Sequence, residues 1–230
     1  MSVTKFALGI FIVALLAGCA SPVWETKGEA FPKMYDASRK PVSIVVVPAV
    51  NKTTAADATD LIFSTLTVPF ADNGYYVMPM SIVAEIFQNE GIVDGEQLKG
   101  IPAETYKDSF GADSVLFITI NKWETNYLIV GGNVTVGISY LLVATATGES
   151  LWSYDEMVVV DTTANSSGNP LVDIISTAIQ TAVQDYIPIA YQVNNLAVST
   201  MPHGNYHPSS NMDSEALVVL QSARIKGEDQ

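Results

Sequence analysis

The sequence predicts an α/β fold: a single domain with a mixed sheet, an antiparallel C-terminal meander, and helices covering it. Three observations carry that prediction. The first is "VSIVVVPAVN", Val42 to Asn51, a continuous β-branched run typical of a strand buried on both faces. The second is the set of apolar positions Leu61, Ile62, Leu66 and Phe70, spaced as one face of a helix. The third is a block of three long β-rich stretches between Ala112 and Asp161, separated by glycine-containing turns.

Taken in order, the Val42–Asn51 strand is followed by a helix from Ala55 to Asn73. Pro69 should kink or tighten its last turn, and Gly74 should stop it. "YYVMP", Tyr75 to Pro79, reads as a second short strand. Ser81 is placed to cap a helix through Asn89, with Ile82, Ile86 and Phe87 inward and Gly91 as its end. Pro102 to Phe110 forms another short helix before Gly111.

The meander follows as Ala112–Val130, Asn133–Ala146 and Glu149–Asp161, with turns at Gly131-Gly132 and Thr147-Gly148. In its middle strand Val134, Val136, Ile138, Tyr140 and Leu142 alternate with Thr135, Gly137 and Ser139. The small-residue face can lie beneath helices or against another subunit, so a homo-oligomer is one expectation. Thr163 to Pro170 reads as a loop, and Leu171 to about Tyr186 as an amphipathic helix. Its inward positions are Ile174, Ile175, Ala178, Ile179 and Ala182. Pro188 should break it, with a second helical stretch continuing to Val198. The Pro-, Gly- and Asn-rich tail from Met201 leads to "SEALVVLQSARI", Ser214 to Ile225, a candidate docked strand or helix.

Composition narrows the function classes. Of 230 residues 48% are hydrophobic and 15% charged, which suits a chain with a real core. The net charge of −13 disfavours nucleic acid and anionic lipid surfaces, which call for Lys/Arg clusters.

The single cysteine, Cys19, sits where an apolar run ends. Lys5, the run Phe6–Leu16 and the small residues Ala17 and Gly18 have the layout of a secretory signal peptide, and the run is too short to span a bilayer. "LAGC", Leu16 to Cys19, resembles the bacterial lipobox. That resemblance implies cleavage after Gly18, a diacylglycerol on the Cys19 sulfur, and a membrane anchor of several acyl chains. Ala20 stands where many lipoproteins kept at the inner membrane carry aspartate, which implies the periplasmic face of the outer membrane. The expected organisation is a signal peptide over 1–18, a lipidated flexible linker over 19–41, a domain over 42–208 and an extension over 209–230.

Sites of chemistry are sparse. The sequence has no GxxxxGK[ST], GxSxG or HExxH pattern. His203 and His207, in "MPHGNYHP", are its only histidines and the weak metal candidates. Gly204, Asn205 and Pro208 oppose a helix that would align them, so a structured loop is the simpler reading. The acidic pairs Asp57/Asp60, Glu85/Glu90 and Asp155/Glu156 fit solvated faces, and Trp123 and Trp152 fit strand packing. No cofactor and no catalytic residue are expected.

"VVPAVN", "ADNGYYVMP", "FGADSVLFITI" and "MPHGNYHP" together resemble a family of bacterial lipoproteins of unknown function. The resemblance spans roughly Pro41 to Pro208. It implies a fold similar to the amino-terminal domain of TolB and an association with CsgG-like secretion lipoproteins. The function expected is therefore a non-enzymatic, outer-membrane-anchored accessory of a CsgG-like export or surface-assembly complex. Two alternatives stand beside it: a lipoprotein regulator of peptidoglycan synthesis, which needs a long extended spacer, and an envelope hydrolase or metal-binding protein using the histidines.

Overall fold

The computed structural model describes residues 25–128, 131–161 and 186–218. Its elements are α1 (Lys27–Ala30), β1 (Ser43–Val46), β2 (Val50–Asn51), α2 (Ala58–Asp72), β3 (Tyr76–Val77), α3 (Met80–Asn89), α4 (Ala103–Phe110), β4 (Ser114–Leu128), β5 (Gly131–Ala144), β6 (Ser150–Asp161) and α5 (Ile187–Ser199). The sheet runs β3-β1-β4-β5-β6, with β2 also on β4. β1 is parallel to both neighbours, while β4, β5 and β6 are antiparallel, so the sheet is mixed.

Period-2 alternation sorts the strands onto two cores. Ile44 and Val46 of β1 face the larger one, with Leu116, Ile118, Ile138, Tyr140, Leu142, Trp152 and the helices α2 and α5. Val45 and Val47 face a smaller one with Val83, Phe87, Leu98 and Tyr106. The buried-strand reading of Val42–Asn51 therefore holds, except that the chain breaks pairing between Val46 and Val50, around Pro48.

Several expectations are corrected. Gly131 and Gly132 lie within β5, paired with Leu128 and Tyr127, so they are not the hairpin turn. On α3 Phe87 is buried as expected, but its partner on that face is Val83, one turn earlier, packed with it against Val45 and Val47, while Ile82 and Ile86 are exposed; the helix starts at Met80, not after a Ser81 cap. The helical stretch expected to run to Val198 is present as α5, with Pro188 in its first turn, where a proline lacks only an N–H that has no helical partner anyway. The end of α2 is as expected, with Pro69 in its closing turn and the helix ending at Asp72, just before Gly74. On the small-residue face, Leu141, Met157 and Val159 are exposed, so helices do not cover that part of the meander among the described residues. The expected loop Thr163–Pro170 and nearly all of the helix Leu171–Tyr186 lie outside the described residues.

One fully buried polar side chain locks α5 to the rest. Asn194 accepts the Tyr140 hydroxyl hydrogen bond and donates to the Ile62 carbonyl and Thr65 Oγ1, both at 2.9 Å. Trp152 Nε1 donates to Thr200 Oγ1 at 3.1 Å just beyond the same helix. These bonds fix α5 against both α2 and the sheet, where apolar packing alone would let it slide. Asn194→Ala leaves the buried Tyr140 hydroxyl without its acceptor and removes both bonds to α2; urea unfolding should show a loss of about 2–4 kcal/mol.

Candidate functional site

The described residues place the chemistry-bearing side chains at one end of the domain, where the N-terminal segment meets the C-terminal tail. α1 opens with Thr26, whose hydroxyl accepts from Glu29 N–H while the Glu29 carboxylate accepts from Thr26 N–H, a reciprocal capping box. This short helix does not stand alone. The N–H groups of Lys27 and Gly28 donate to the Ala216 and Ser214 carbonyls at 2.8 and 2.9 Å, and Val218 N–H donates back to Glu25 O at 2.8 Å. Thr26 and Leu217 thus form an antiparallel bridge between segments almost two hundred residues apart.

A buried ion pair sits under that bridge. Lys27 is 6% exposed and its Nζ lies 3.1 Å from Asp213 Oδ2, donating also to Met201 O at 2.8 Å. Asp213 accepts in addition from Tyr35 Oη and from His203 N–H, at 3.1 and 3.0 Å. Burial by itself would raise the Asp213 carboxyl; Lys27 and the His203 N–H together override it and hold the group below the ordinary carboxylate range. Lys40 closes the far side of the tail, donating to Ser210 Oγ and Asn211 Oδ1 at 3.1 and 2.9 Å. Burial pulls Lys40 down from the usual ammonium range, partly opposed by Asp213.

The flexible linker expected up to residue 41 is therefore corrected. From Thr26 onward the segment is folded, and Met34 lies wholly buried in the main core. Lys33 and Arg39 both reach Glu149 beside the β5–β6 turn, at 3.1 and 3.3 Å. The extension expected from residue 209 is likewise corrected over 209–218, since it supplies Asp213 to the same pair. The sequence carried one signal of this, Thr26-Lys27-Gly28-Glu29, which matches the S/T-x-x-E capping pattern.

His203 and His207 come together, their rings 3.7 Å apart and tilted 35°. Their loop is pinned on the end of α2. Gly74, at φ +87°, completes the C-terminal turn there, with Tyr75 N–H to Phe70 O and Gly74 N–H to Ala71 O. Gly204 N–H donates to Asn73 O at 2.7 Å, and a Cβ on Gly204 would lie 2.2 Å from Gly74 O. Ser209 occupies both rings: its carbonyl lies 3.3 Å from His203 Nδ1, and its N–H donates to His207 Nδ1 at 3.1 Å. Among the described residues no group of three His, Cys, Asp or Glu side chains gathers as a metal site would need. Burial, the His207 ring and Lys27 push His203 below the usual imidazole range, against the pull of Asp213 and Ser209. Cys19 lies outside the described residues.

Both titrating shifts have one sign. Folded His203 and folded Asp213 each hold a proton more weakly than in the unfolded chain, whose ordinary values are 6.5 and 3.8. Stability from this region is complete above pH 6.5, declines below it through His203, and declines again below 3.8 through Asp213. Thermal unfolding followed from pH 7 to pH 5 should show a falling midpoint, and His203→Asn should flatten that fall. Lys27→Met strands a buried carboxylate and should cost about 3–5 kcal/mol by urea titration, part of it recovered by Lys27→Met with Asp213→Leu.

Residues 34–208 match the family model described as "Putative lipoprotein GNA1162-like". His203 and His207 fall inside that span; Lys27 and Asp213 fall just outside it. A relative from Neisseria meningitidis serogroup B, "Putative lipoprotein NMB1124/NMB1162", is 28% identical over 190 residues, 83% of this chain and 86% of that protein. The crystal structure of lipoprotein GNA1162 from Neisseria meningitidis superposes with a TM-score of 0.51 at 29% identity, over 62% of this chain and 98% of that one. The C-terminal domain of LpoB from Salmonella enterica is more distant, with a TM-score of 0.36 at 18% identity over 57% of this chain and 97% of that one, too loose to transfer a role. Matched by one family model across the sheet, the helices and the histidine loop, the chain belongs to the GNA1162-like lipoprotein family.

Proposed function

We propose that the protein is lipidated at Cys19 and works on the periplasmic face of the outer membrane as a non-enzymatic assembly or accessory component. A CsgG-like export or surface-assembly complex is the partner that the sequence resemblance implies. One observation carries the reading: Glu25 already accepts a hydrogen bond from Val218 N–H, and Thr26 caps α1 directly after it. Six residue steps separate Cys19 from Glu25, and at about 3.5 Å each they reach no farther than about 20 Å. The flexible linker expected up to Pro41 would have reached about 75 Å. Tethering this short confines the domain to a thin layer and raises the effective concentration of any partner in that layer.

The same bound counts against a regulator of peptidoglycan synthesis, which must carry its domain away from the membrane on a long spacer. For the hydrolase or metal-binding reading, Ser209 engages both Nδ1 atoms and no third His, Cys, Asp or Glu joins the pair as a metal site among the described residues.

Lengthening the tether separates these readings. An insertion of roughly 20 Gly/Ser residues between Ser21 and Pro22 should lower the effective concentration at the membrane about tenfold. Crosslinking of the lipidated protein to membrane-embedded partners should fall in proportion. Unchanged crosslinking there, or improved crosslinking to cell-wall synthases, overturns the proposal.

A further inference from the structure

We infer that the two exposed apolar side chains of the clasp, Met212 and Leu217, dock into the neutral headgroup region of a lipid bilayer. The inference rests on the lipid anchor at Cys19 proposed above. Met212 is 77% exposed and Leu217 52% exposed. Large apolar side chains on a tail otherwise built of polar hydrogen bonds lose free energy by standing in water. Leu217 pairs directly with Thr26, and Met212 precedes Asp213, the partner of Lys27. Both therefore lie where the folded chain begins, at the end of a tether no longer than about 20 Å. For a chain anchored at Cys19, the bilayer surface is an apolar partner that this geometry keeps permanently within reach.

The chemistry around the face specifies the lipid. Glu25 and Glu215 flank it and are exposed, while the charge of Lys27 is spent inward on Asp213. An acidic rim around two apolar side chains suits a zwitterionic surface and is repelled by an anionic one. Burial of such side chains at the interface reaches about 5–10 Å into the headgroup and acyl boundary.

The test uses the full lipidated protein in phosphatidylcholine vesicles. Acylation consumes the only native thiol, so Met212→Cys and Leu217→Cys each give one labelling position. Val93→Cys, 75% exposed beyond α3 on the opposite side of the sheet, is the control. A polarity-sensitive fluorophore at 212 or 217 should be quenched by nitroxide-labelled lipid at least about twofold more than at 93, and less so in phosphatidylglycerol vesicles. Flotation with the vesicles reports the anchor separately. If the protein floats but all three positions quench alike, the docking face is wrong and the anchor stands. If it does not float, the anchor fails and the inference falls with it. Shielding at 212 and 217 from both aqueous and lipid quenchers would mean that residues 219–230 or a second copy cover them, which also overturns it.

Discussion

The Lys27–Asp213 pair is the contact on which the arrangement of both chain ends depends. Two opposite charges taken out of water are costly unless every remaining donor and acceptor is matched. Here they are matched closely: the ammonium is shared with the Met201 carbonyl, and the carboxylate takes Tyr35 Oη and His203 N–H. The five groups come from three stretches of sequence, so the pair forms only when the N-terminal segment, the chain just after α5 and the tail are all in place. It is better understood as fixing a unique placement of the ends than as a large source of net stability. Exposed contacts such as Lys33 and Arg39 with Glu149 add little by comparison.

That placement is continuous with the core. Asn194 seats α5 on α2 and the sheet, and Thr200, just after α5, takes the Trp152 indole N–H. The chain then passes Met201, whose side chain is buried in the core and whose carbonyl meets Lys27, and enters the histidine loop over Gly74. Tyr75 Oη and Asn73 Nδ2 both donate to Pro202 O, so the C-terminus of α2 holds the same loop from below. The clasp, the loop and the main core thus form one hydrogen-bonded unit.

Much of the fold was legible in the sequence because period and punctuation agreed. β4, β5 and β6 run 15, 14 and 12 residues, well beyond ordinary strand length, and the apolar alternation in Val134–Leu142 marked the core face correctly. The face of α3 was read correctly at Phe87 but not at Ile82 and Ile86, which look like core by hydrophobicity although Val83 is the residue that shares the buried face with Phe87. Asn194 and Lys27 were invisible, since nothing local tells a buried polar residue from an exposed one; their partners lie 54 and 186 positions away. The linker was misjudged because proline, glycine and charge resemble a flexible spacer unless the Thr26–Glu29 cap is weighed. The histidine pairing followed the loop reading, with Ser209 rather than a helix bringing the rings together.

For the proposed anchor at Cys19, the short stretch between that residue and the clasp sets how far from the membrane the domain can act. The account therefore stands on the strap at residues 25–28 being ordered in the full chain. Amide hydrogen exchange tests it directly, because Lys27, Gly28 and Val218 each donate a backbone hydrogen bond across the clasp. The account predicts protection of these three amides by at least about a hundredfold over an unstructured chain. Exchange at the unstructured rate, with α2 and β5 still protected, would contradict it.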